Sequence, residues 1–275
     1  MDSARIESMT TTNGSKSPGQ LAGRVALISG GAQGIGRGIA TLFQQKGACV
    51  SILDCDAPAG NDAAAELSAQ NPALPVRFLQ ADLRQQREIH AAVDVVRKSH
   101  GRIDVLVNNA GIEMDKSLEA LTVDDWNLVL EVNLRGAFLL AQAAVPLFPE
   151  AGGAIINISS VHASHAFLNS IPYACSKAAL VALTRNLALE LGPRKIRVNC
   201  IRPGYIDTRL WEAYLRTAPD PKVLAEQTAA LHPVGRRGMP ADVADAALFF
   251  ATESSSFITG TDLVVDGGLT VRAHP

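Results

Sequence analysis

Short apolar runs alternate with longer stretches in which apolar residues recur every three or four positions. The first pattern is typical of buried strands and the second of helices. The predicted strands cover residues 24–29, 48–53, 76–80, 103–107, 154–160, a run through Cys200, and 262–266. The predicted helices cover a stretch ending at Lys46 and residues 58–69, 84–99, 123–148, 173–191 and 240–251. Because parallel strands are joined by right-handed helical crossovers, we predict an α/β fold with a doubly wound, seven-stranded parallel sheet and helices on both faces.

Composition narrows the possible classes of function. The 275 residues carry a formal net charge of -2, so the chain offers no basic footprint for nucleic acid. Although 47% of the residues are hydrophobic, no uninterrupted apolar run approaches the roughly 18 residues that span a bilayer, and no membrane segment is predicted. The four cysteines lack C-x-x-C spacing, which predicts free thiols in a reducing cytoplasm and no metal site.

A single domain is the simplest organisation, because the chain has no repeat, low-complexity tract or internal linker. Residues 1–20 are polar, without the apolar segment of a secretory signal, and we predict a disordered leader there. Residues 21–275 then form the domain. Its composition changes over residues 205–232, where we predict a mobile substrate lid beyond the carboxyl ends of the strands.

A glycine-rich turn follows the first predicted strand and leads directly into a helical pattern. Its glycines are Gly30, Gly34 and Gly36. Glycines at such a turn let the backbone approach a phosphate, and the helix N-terminus supplies unsatisfied N–H groups and a positive dipole end. The spacing G-x-x-x-G-x-G differs from the more familiar G-x-G-x-x-G. We predict an anion cradle suited to a pyrophosphate.

An acidic residue, Asp54, ends the second predicted strand eighteen residues after Gly36. A carboxylate near this position accepts a hydrogen bond from an adenosine ribose and repels a 2′ phosphate, which favours NAD over NADP. The alternative is that Asp54 caps the next helix, a role for which Asp56 competes.

The pair Tyr173 and Lys177 is the strongest candidate for chemistry. Four-residue spacing on a helix beginning near Tyr173 places both side chains on one face. A fixed cation favours the phenolate, so we expect Lys177 to lower the pKa of Tyr173 and make it an acid/base. Ser160, thirteen residues upstream, could bond the same substrate oxygen. Ser159 competes with it, but alternation along a strand turns the two serines to opposite faces.

These stretches and several others resemble the short-chain dehydrogenase/reductase family over residues 21–270. The motifs that carry the resemblance are Gly30-x-x-x-Gly34-Ile35-Gly36, Asp82, Asn108-Asn109-Ala110-Gly111, Asn133, Ser160, Tyr173-x-x-x-Lys177, Pro203-Gly204 with Thr208, and Val265-Asp266-Gly267-Gly268. The resemblance implies a single-domain Rossmann fold and an NAD(P)-dependent dehydrogenase or reductase acting on CH–OH groups, with NAD preferred.

The same resemblance implies a set of cofactor-binding residues. They are Gly30, Gln33, Gly34, Ile35, Gly36, Asp54, Asp82, Leu83, Asn109, Ala110, Gly111, Tyr173, Lys177, Pro203, Gly204, Ile206 and Thr208. Members that use NADP commonly carry Arg or Lys where this chain has neutral Gln33, which agrees with Asp54 in favouring NAD.

For catalysis, the resemblance implies that Tyr173 is the general acid/base and that Lys177 lowers its pKa and binds the nicotinamide ribose. Ser160 would donate to the substrate oxygen, and Asn133 would hold a water that links Lys177 to solvent. The implied reaction is hydride transfer between a secondary alcohol and its ketone, or a sugar and its lactone.

Two residues suggest a substrate class. Glu113 and His162 stand at positions similar to those that lie at the sugar pocket of bacterial glucose 1-dehydrogenases, and a carboxylate and an imidazole could bind several hydroxyls. The alternative is that both are solvated loop residues.

Other functions stay open at this point. Within the family the alternatives are a 3-oxoacyl thioester reductase, which Asp54 disfavours because such enzymes commonly use NADPH, or a hydroxysteroid dehydrogenase. A nucleotide-sensing binding protein is the alternative outside enzymes. Apolar outer positions on the predicted helices 123–148 and 173–191 lead us to expect a homo-oligomer, a dimer or tetramer, by the same resemblance. The partner otherwise expected is a small-molecule substrate.

Overall fold

The structure is a computed structural model that describes residues 19–216 and 218–271. Most of the predicted leader therefore lies outside the described residues. The strands are β1 (Val25–Ser29), β2 (Cys49–Asp54), β3 (Arg77–Gln80), β4 (Val105–Asn108), β5 (Gly153–Ile158), β6 (Ile196–Pro203) and β7 (Asp262–Val265). The helices are α1 (Gly34–Gln45), α2 (Ala57–Gln70), α3 (Gln86–His100), α4 (Val123–Leu130), α5 (Gly136–Ala144), α6 (Ile171–Leu191), α7 (Arg209–Leu215), α8 (Pro221–Leu231) and α9 (Pro240–Ala251).

The seven strands of the described residues are parallel and form one sheet in the order β3-β2-β1-β4-β5-β6-β7. The chain moves outward from β1 to β3, returns to β4 beside β1, and then builds the other half. The strand order thus reverses between β1 and β4, where the carboxyl ends of parallel strands open a ligand crevice. The predicted fold class is confirmed.

Helices cover both faces of the sheet, and β1 shows how the two cores are divided. Ala26 and Ile28 belong to one buried cluster, which includes residues of α1 and α9, whereas Val25 and Leu27 belong to a second, which includes residues of α3, α5 and α6. Side chains alternate between faces along a strand, so a strand buried on both faces needs a continuous apolar sequence. This is why the strands appear as unbroken apolar runs in the sequence.

Several predicted boundaries differ from the structure, and three of the differences affect residues of the candidate site. The predicted helix 123–148 is α4 followed by a π-helical segment, Glu131–Arg135, then α5 and a short 3₁₀ turn. The strand predicted to end at Ser160 ends at Ile158, because Ser160 caps a 3₁₀ turn. The helix predicted to begin near Tyr173 begins two residues earlier, with a proline in its first turn. Proline is tolerated there because the first N–H groups of a helix have no intrahelical partner.

Among the described residues, Val123–Leu147 is long and apolar enough to cross a membrane by length and composition, with a mean hydropathy of 1.5. Its centre, α5, buries Leu140, Ala141 and Ala144 within the second core cluster. A core helix satisfies the same length and composition criteria. One face of this stretch is therefore part of the core, although only 39% of its apolar window is buried.

Candidate active site

The glycine turn between β1 and α1 is shaped by backbone contacts that leave no room for side chains. Gly30 has φ +63° and Gly34 has φ +54°, a region that favours glycine. A Cβ on Gly36 would lie 2.1 Å from the Gly30 carbonyl oxygen. Gln33 precedes α1 in an extended conformation without capping the helix through its side chain. The first N–H groups of α1 are therefore presented at the crevice, as an anion cradle requires.

Asp54 at the end of β2 is tied to this turn. Its Oδ2 accepts from the Ala32 N–H at 3.2 Å, and its Oδ1 accepts from the Asp56 N–H at 3.2 Å. Asp56 caps α2 by accepting from the Ala59 N–H at 3.0 Å. The alternative role for Asp54 as the helix cap is thus excluded. Its carboxylate lies beside the glycine turn, where a ribose-binding group is needed.

The loop after β3 places Asp82 and Leu83 near the same end of the sheet. Arg84 donates to both carboxylate oxygens of Asp82, with an Nη2–Oδ2 distance of 2.6 Å, and lowers the pKa of Asp82. Leu83 is buried against Gly136, where an added Cβ would lie 2.8 Å from the leucine Cβ. Cys55 adjoins this group, and burial together with neighbouring Asp54 raises the pKa of its thiol.

Asn109 and Ala110 brace the crevice between β1 and β4. The Asn109 side chain donates to the carbonyls of Ser29 at 3.1 Å and Gly30 at 2.9 Å. The backbone N–H groups of Asn109 and Ala110 donate to the Ser29 hydroxyl at 3.0 and 3.2 Å. These bonds hold the glycine turn against the neighbouring strand, so the cradle and the crevice form a single rigid unit.

Buried polar bonds fix α6 against the sheet. Asn108 donates to Asn157 at 2.8 Å, and Asn157 donates to the Thr184 hydroxyl at 2.8 Å. The Ser159 hydroxyl donates to the Lys177 carbonyl at 2.7 Å. Ser159 is therefore an anchor for α6, which leaves Ser160 to face the crevice as the alternation of β5 predicted.

Lys177 is buried, with 3% of its surface exposed, and its Nζ donates to the Ile158 carbonyl at 2.9 Å. The Nζ atom lies 5.5 Å from the centre of the Tyr173 ring. Burial lowers the pKa of Lys177 to about 8, while Glu113 opposes that shift. The predicted pair thus exists in the predicted geometry.

The expected effect on Tyr173 is wrong for this arrangement. Enclosure by the protein raises the pKa of Tyr173 above its ordinary value, and the negative charge of Glu113 raises it further. A hydrogen bond with the Ser160 side chain acts in the opposite direction but is the smaller effect. Desolvation of the phenolate is the largest contribution and raises the pKa of Tyr173, so Tyr173 carries its proton at neutral pH.

Asn133 occupies the π-helical segment, which the sequence did not predict. Its side chain accepts from the Ile112 N–H at 2.8 Å and donates to the Ile112 carbonyl at 2.9 Å and the Ser176 hydroxyl at 3.0 Å. A Cβ on Gly111 would lie 3.2 Å from the Lys177 Nζ and 3.4 Å from the Asn133 Oδ1. The extra residue of the π turn thus brings an amide to the side of Lys177. Such bulges are frequent at functional sites.

The predicted substrate residues meet at the mouth of the crevice. His162 Nε2 lies 3.8 Å from Glu113 Oε1, and His162 Nδ1 lies 3.0 Å from the Ser160 hydroxyl oxygen. The Ser170 hydroxyl donates to Glu113 Oε1 at 2.7 Å. Burial raises the pKa of Glu113, while burial and the charge of Lys177 lower the pKa of His162 to about 4. The alternative that both are solvated loop residues is wrong.

Aromatic side chains extend the pocket beyond His162, and the sequence analysis missed two of them. Phe167 stacks on His162 with ring centres 3.9 Å apart, and Tyr205 meets Phe167 at 6.2 Å. Trp211, which is 6% exposed, packs against Tyr205 at 5.5 Å. The His162 ring meets Tyr173 edge-on at 5.1 Å. Phe167 and Tyr205 lie in loops without periodicity, so their proximity depends on the sheet that carries those loops.

The segment after β6 returns over the glycine turn. A Cβ on Gly34 would lie 3.3 Å from the Thr208 methyl carbon, and Thr208 caps α7. Ile206 is buried and pairs with Gly238 in an isolated parallel bridge. The structure therefore brings Thr208, one of the predicted cofactor-binding residues, to the cradle. Residues 205–232, predicted as a lid, contain α7 and α8.

Pro203 and Gly204 connect β6 to this segment. Pro203 pairs with Val265 of β7, and the Gly204 N–H donates to the Val265 carbonyl at 3.0 Å. A Cβ on Gly204 would lie 2.9 Å from the Cβ of Asp266. This close approach explains why a glycine occupies position 204. The contacts of Pro203 and Gly204, both predicted to bind the cofactor, connect that part of the site to β7.

Comparison with known proteins agrees with this geometry. A family model described as Enoyl-(Acyl carrier protein) reductase matches residues 30–270. The chain is 38% identical over 257 residues to the L-fucose dehydrogenase of Oryctolagus cuniculus, covering 93% of this chain and 88% of that protein. It is 37% identical to the 3-oxoacyl-[acyl-carrier-protein] reductase of Chlamydia trachomatis, covering 91% and 99%.

The fold also matches a solved structure. The ligand-free aldohexose dehydrogenase of Thermoplasma acidophilum is 33% identical and superposes with a TM-score of 0.85, covering 94% of this chain and 98% of that one. The chain therefore belongs to the short-chain dehydrogenase/reductase family, and it is an oxidoreductase that interconverts alcohols and ketones by hydride transfer.

Proposed function

We propose that this enzyme is an NAD-dependent dehydrogenase that oxidises a sugar or another polyol. The observation that carries the proposal is the convergence of Glu113, His162 and Ser160 beside the Tyr173 phenol, with Phe167 and Tyr205 as the neighbouring walls. Several hydrogen-bonding groups around one pocket suit a ligand with several hydroxyls, and aromatic faces suit its C–H surface.

The position of Asp54 supports the proposed preference for NAD. Its carboxylate lies beside the glycine turn and is held by the Ala32 N–H at 3.2 Å. There it can accept from a ribose hydroxyl, whereas a 2′ phosphate would meet a negative charge. Neutral Gln33 supplies no compensating cation. The tight turn at Gly36 and the uncapped start of α1 fit a pyrophosphate, which supports the dinucleotide itself.

The catalytic roles can be assigned to this chain's residues. NAD, when bound, supplies the nicotinamide ring that accepts the hydride. Tyr173 exchanges the hydroxyl proton with the substrate oxygen, and Ser160 hydrogen-bonds the same oxygen. Lys177, whose pKa is lowered to about 8, provides a nearby cation for the ribose and for a phenolate. Asn133 orients the Ile112 backbone beside Lys177 through two hydrogen bonds.

The proposed assembly and location rest on surfaces and thiols. A groove of about 520 Å³ lies between α4, α5 and α6, and it is lined by Leu130, Leu134, Phe138 and Leu183 among others. Phe138 is 42% exposed. Apolar outer positions on these helices suit a symmetric contact between copies, so we propose a homo-oligomer, with a homotetramer as the first expectation.

The proposed location rests on the cysteines. Cys49, Cys55, Cys175 and Cys200 are all free, and free thiols suit an enzyme of the reducing cytoplasm.

A substrate screen tests the function. Purified protein with NAD, and separately with NADP, is assayed at 340 nm against L-fucose, D-glucose, threitol, cyclohexanol, a hydroxysteroid and a 3-hydroxyacyl thioester. We expect reduction of NAD with at least one sugar or polyol. Activity confined to the thioester with NADP would instead assign the chain to the reductase alternative, and activity confined to the steroid would assign it to that class. Binding of NAD without turnover of any compound would favour the nucleotide-sensing alternative.

A further inference from the structure

We propose that Glu113 fixes the tautomer of His162, and that His162 thereby sets the direction in which the Ser160 hydroxyl hydrogen-bonds. His162 is then a positioning residue for Ser160. The proposal rests on the proposed function only in assuming that Ser160 faces the substrate oxygen. It identifies the form of substrate that the resting pocket receives, which is the alcohol.

The first step is the hydrogen-bond capacity of the Ser160 hydroxyl, which has one proton and two lone pairs. The His162 backbone N–H donates to Ser160 Oγ at 3.2 Å and takes one lone pair. His162 Nδ1 lies 3.0 Å from the same oxygen. If Nδ1 carries a proton, it takes the second lone pair, and the serine proton points to the substrate. If Nδ1 is unprotonated, it accepts the serine proton, and a lone pair points to the substrate.

The second step is the environment of the other ring nitrogen. Glu113 Oε1 lies 3.8 Å from Nε2, and the Ser170 hydroxyl holds that oxygen at 2.7 Å. A carboxylate facing one nitrogen of a neutral imidazole favours the proton on that nitrogen. The favoured tautomer therefore carries its proton on Nε2, and Nδ1 accepts the proton of Ser160.

The third step is that the ring is both neutral and fixed in place. Burial and the nearby Lys177 ammonium lower the pKa of His162 to about 4, so the imidazole has one donor and one acceptor at neutral pH. Phe167 stacks on one face with ring centres 3.9 Å apart, and the Tyr173 ring lies edge-on at 5.1 Å. Because a neutral imidazole carries a single proton and this ring is held in place, a proton on Nε2 leaves Nδ1 unprotonated and facing Ser160.

The consequence concerns the substrate oxygen. With its proton given to Nδ1 and one lone pair taken by the His162 N–H, Ser160 keeps one lone pair, which accepts from the Tyr173 hydroxyl in the empty site and from a substrate hydroxyl when one is bound. A lone pair accepts from the O–H of an alcohol but offers no donor to a ketone oxygen. The resting site therefore matches the hydrogen-bonding groups of an alcohol, whose oxygen accepts from the Tyr173 hydroxyl and whose hydroxyl donates to Ser160. Proton positions alone distinguish this state from the opposite one, so no heavy atom need move between them.

The tautomer can be measured without any substrate. The full chain is labelled with ¹⁵N-histidine, and two-bond ¹H–¹⁵N correlations are recorded at pH 7 on the protein without cofactor. His162→Gln identifies the signals of His162. We expect the pattern of a neutral ring protonated at Nε2. A ring protonated at Nδ1, or doubly protonated, would overturn the proposal, and neither result would bear on whether sugars are substrates.

Variants at position 113 test the cause of the tautomer. Glu113→Ala should move His162 toward protonation at Nδ1, and the conservative Glu113→Gln, which keeps an acceptor for Ser170, should move it less. His165 is the matched control, because its Nδ1 lies 2.8 Å from the Ser164 hydroxyl but the residue is exposed. Its tautomer should be the same in all three proteins. A His162 pattern unchanged in Glu113→Ala would contradict the assigned role of Glu113.

Kinetics separate positioning from substrate contact. His162→Asn places an amide near the site of Nδ1, whereas His162→Gln places it near the site of Nε2. With L-fucose and NAD, or whichever alcohol the screen identifies, His162→Gln should lose about tenfold in kcat/KM relative to His162→Asn, the value of one hydrogen bond. His165→Asn and His165→Gln should match the wild type. A larger loss in His162→Asn would show that the Nε2 contact dominates and would overturn the proposal.

Discussion

The cofactor cradle and the substrate pocket are built by different means, although they share one edge of the sheet. The cradle is a backbone structure, in which Gly36 approaches the Gly30 carbonyl and the Asn109 side chain holds the turn. The pocket is made of side chains such as Glu113 and His162, carried by loops after β4 and β5. A backbone cradle admits few substitutions, whereas loop side chains can be exchanged without disturbing the sheet. Enzymes that act on different substrates can therefore share the same cofactor cradle.

The largest expected effect lies where the two regions meet, at Tyr173. Replacing Tyr173 with Phe removes the hydroxyl that exchanges a proton with the substrate but keeps the ring that packs edge-on against His162. We expect turnover to fall about a thousandfold, within the range of a lost general acid/base, while NAD binding is nearly unchanged. Stopped-flow absorbance measures the first quantity, and quenching of protein fluorescence by NAD measures the second. Turnover close to that of the wild type would remove Tyr173 from its assigned role.

A smaller effect is expected from a single methyl group in the cradle. Gly36→Ala places a Cβ 2.1 Å from the Gly30 oxygen, so the turn must shift. We expect NAD affinity to fall by roughly a hundredfold, the equivalent of losing one hydrogen bond of about 1.5–3 kcal/mol between the turn and a charged phosphate. Overpacking should lower the free energy of unfolding by about 1–3 kcal/mol. Titration calorimetry and urea denaturation measure the two quantities.

The matched control for the cradle is Gly192→Ala. Gly192 has φ -52°, and a Cβ there would meet no atom within 4 Å among the described residues. Its affinity for NAD and its stability should stay at wild-type values. Equal losses at both glycines would mean that the Gly36 effect is not specific to the turn.

The smallest effect is expected at Asp54, which joins the cradle through one side chain. Asp54→Ser keeps a hydroxyl for the ribose but removes the charge that opposes a 2′ phosphate. The ratio of kcat/KM for NAD to that for NADP should fall by about tenfold. This corresponds to about 1.4 kcal/mol, a free energy similar to that of one hydrogen bond. Steady-state kinetics with each cofactor measure it. A native enzyme that already favours NADP would refute the assignment of cofactor.

Local sequence patterns predicted much of this molecule. The alternation of apolar runs and amphipathic stretches predicted the parallel sheet, because strands buried on both faces need continuous apolar sequence. The four-residue spacing predicted that Tyr173 and Lys177 share a helix face, as they do. The choice between Asp54 and Asp56 as the helix cap stayed open, since either can cap a helix a few residues away. Only the hydrogen bond from Ala59 to Asp56 decided it.

The sequence by itself determined the order of elements, the glycine turn and the placement of Tyr173 and Lys177 on one helix face, because those depend on neighbours a few residues apart. The tertiary structure alone decided the π turn at Asn133, the raised pKa of Tyr173 and the approach of Phe167 to His162. Each depends on groups far apart in the chain or on enclosure by the whole fold. A charged neighbour can be identified from its position in sequence, but the loss of water around a phenol appears only when the chain is folded.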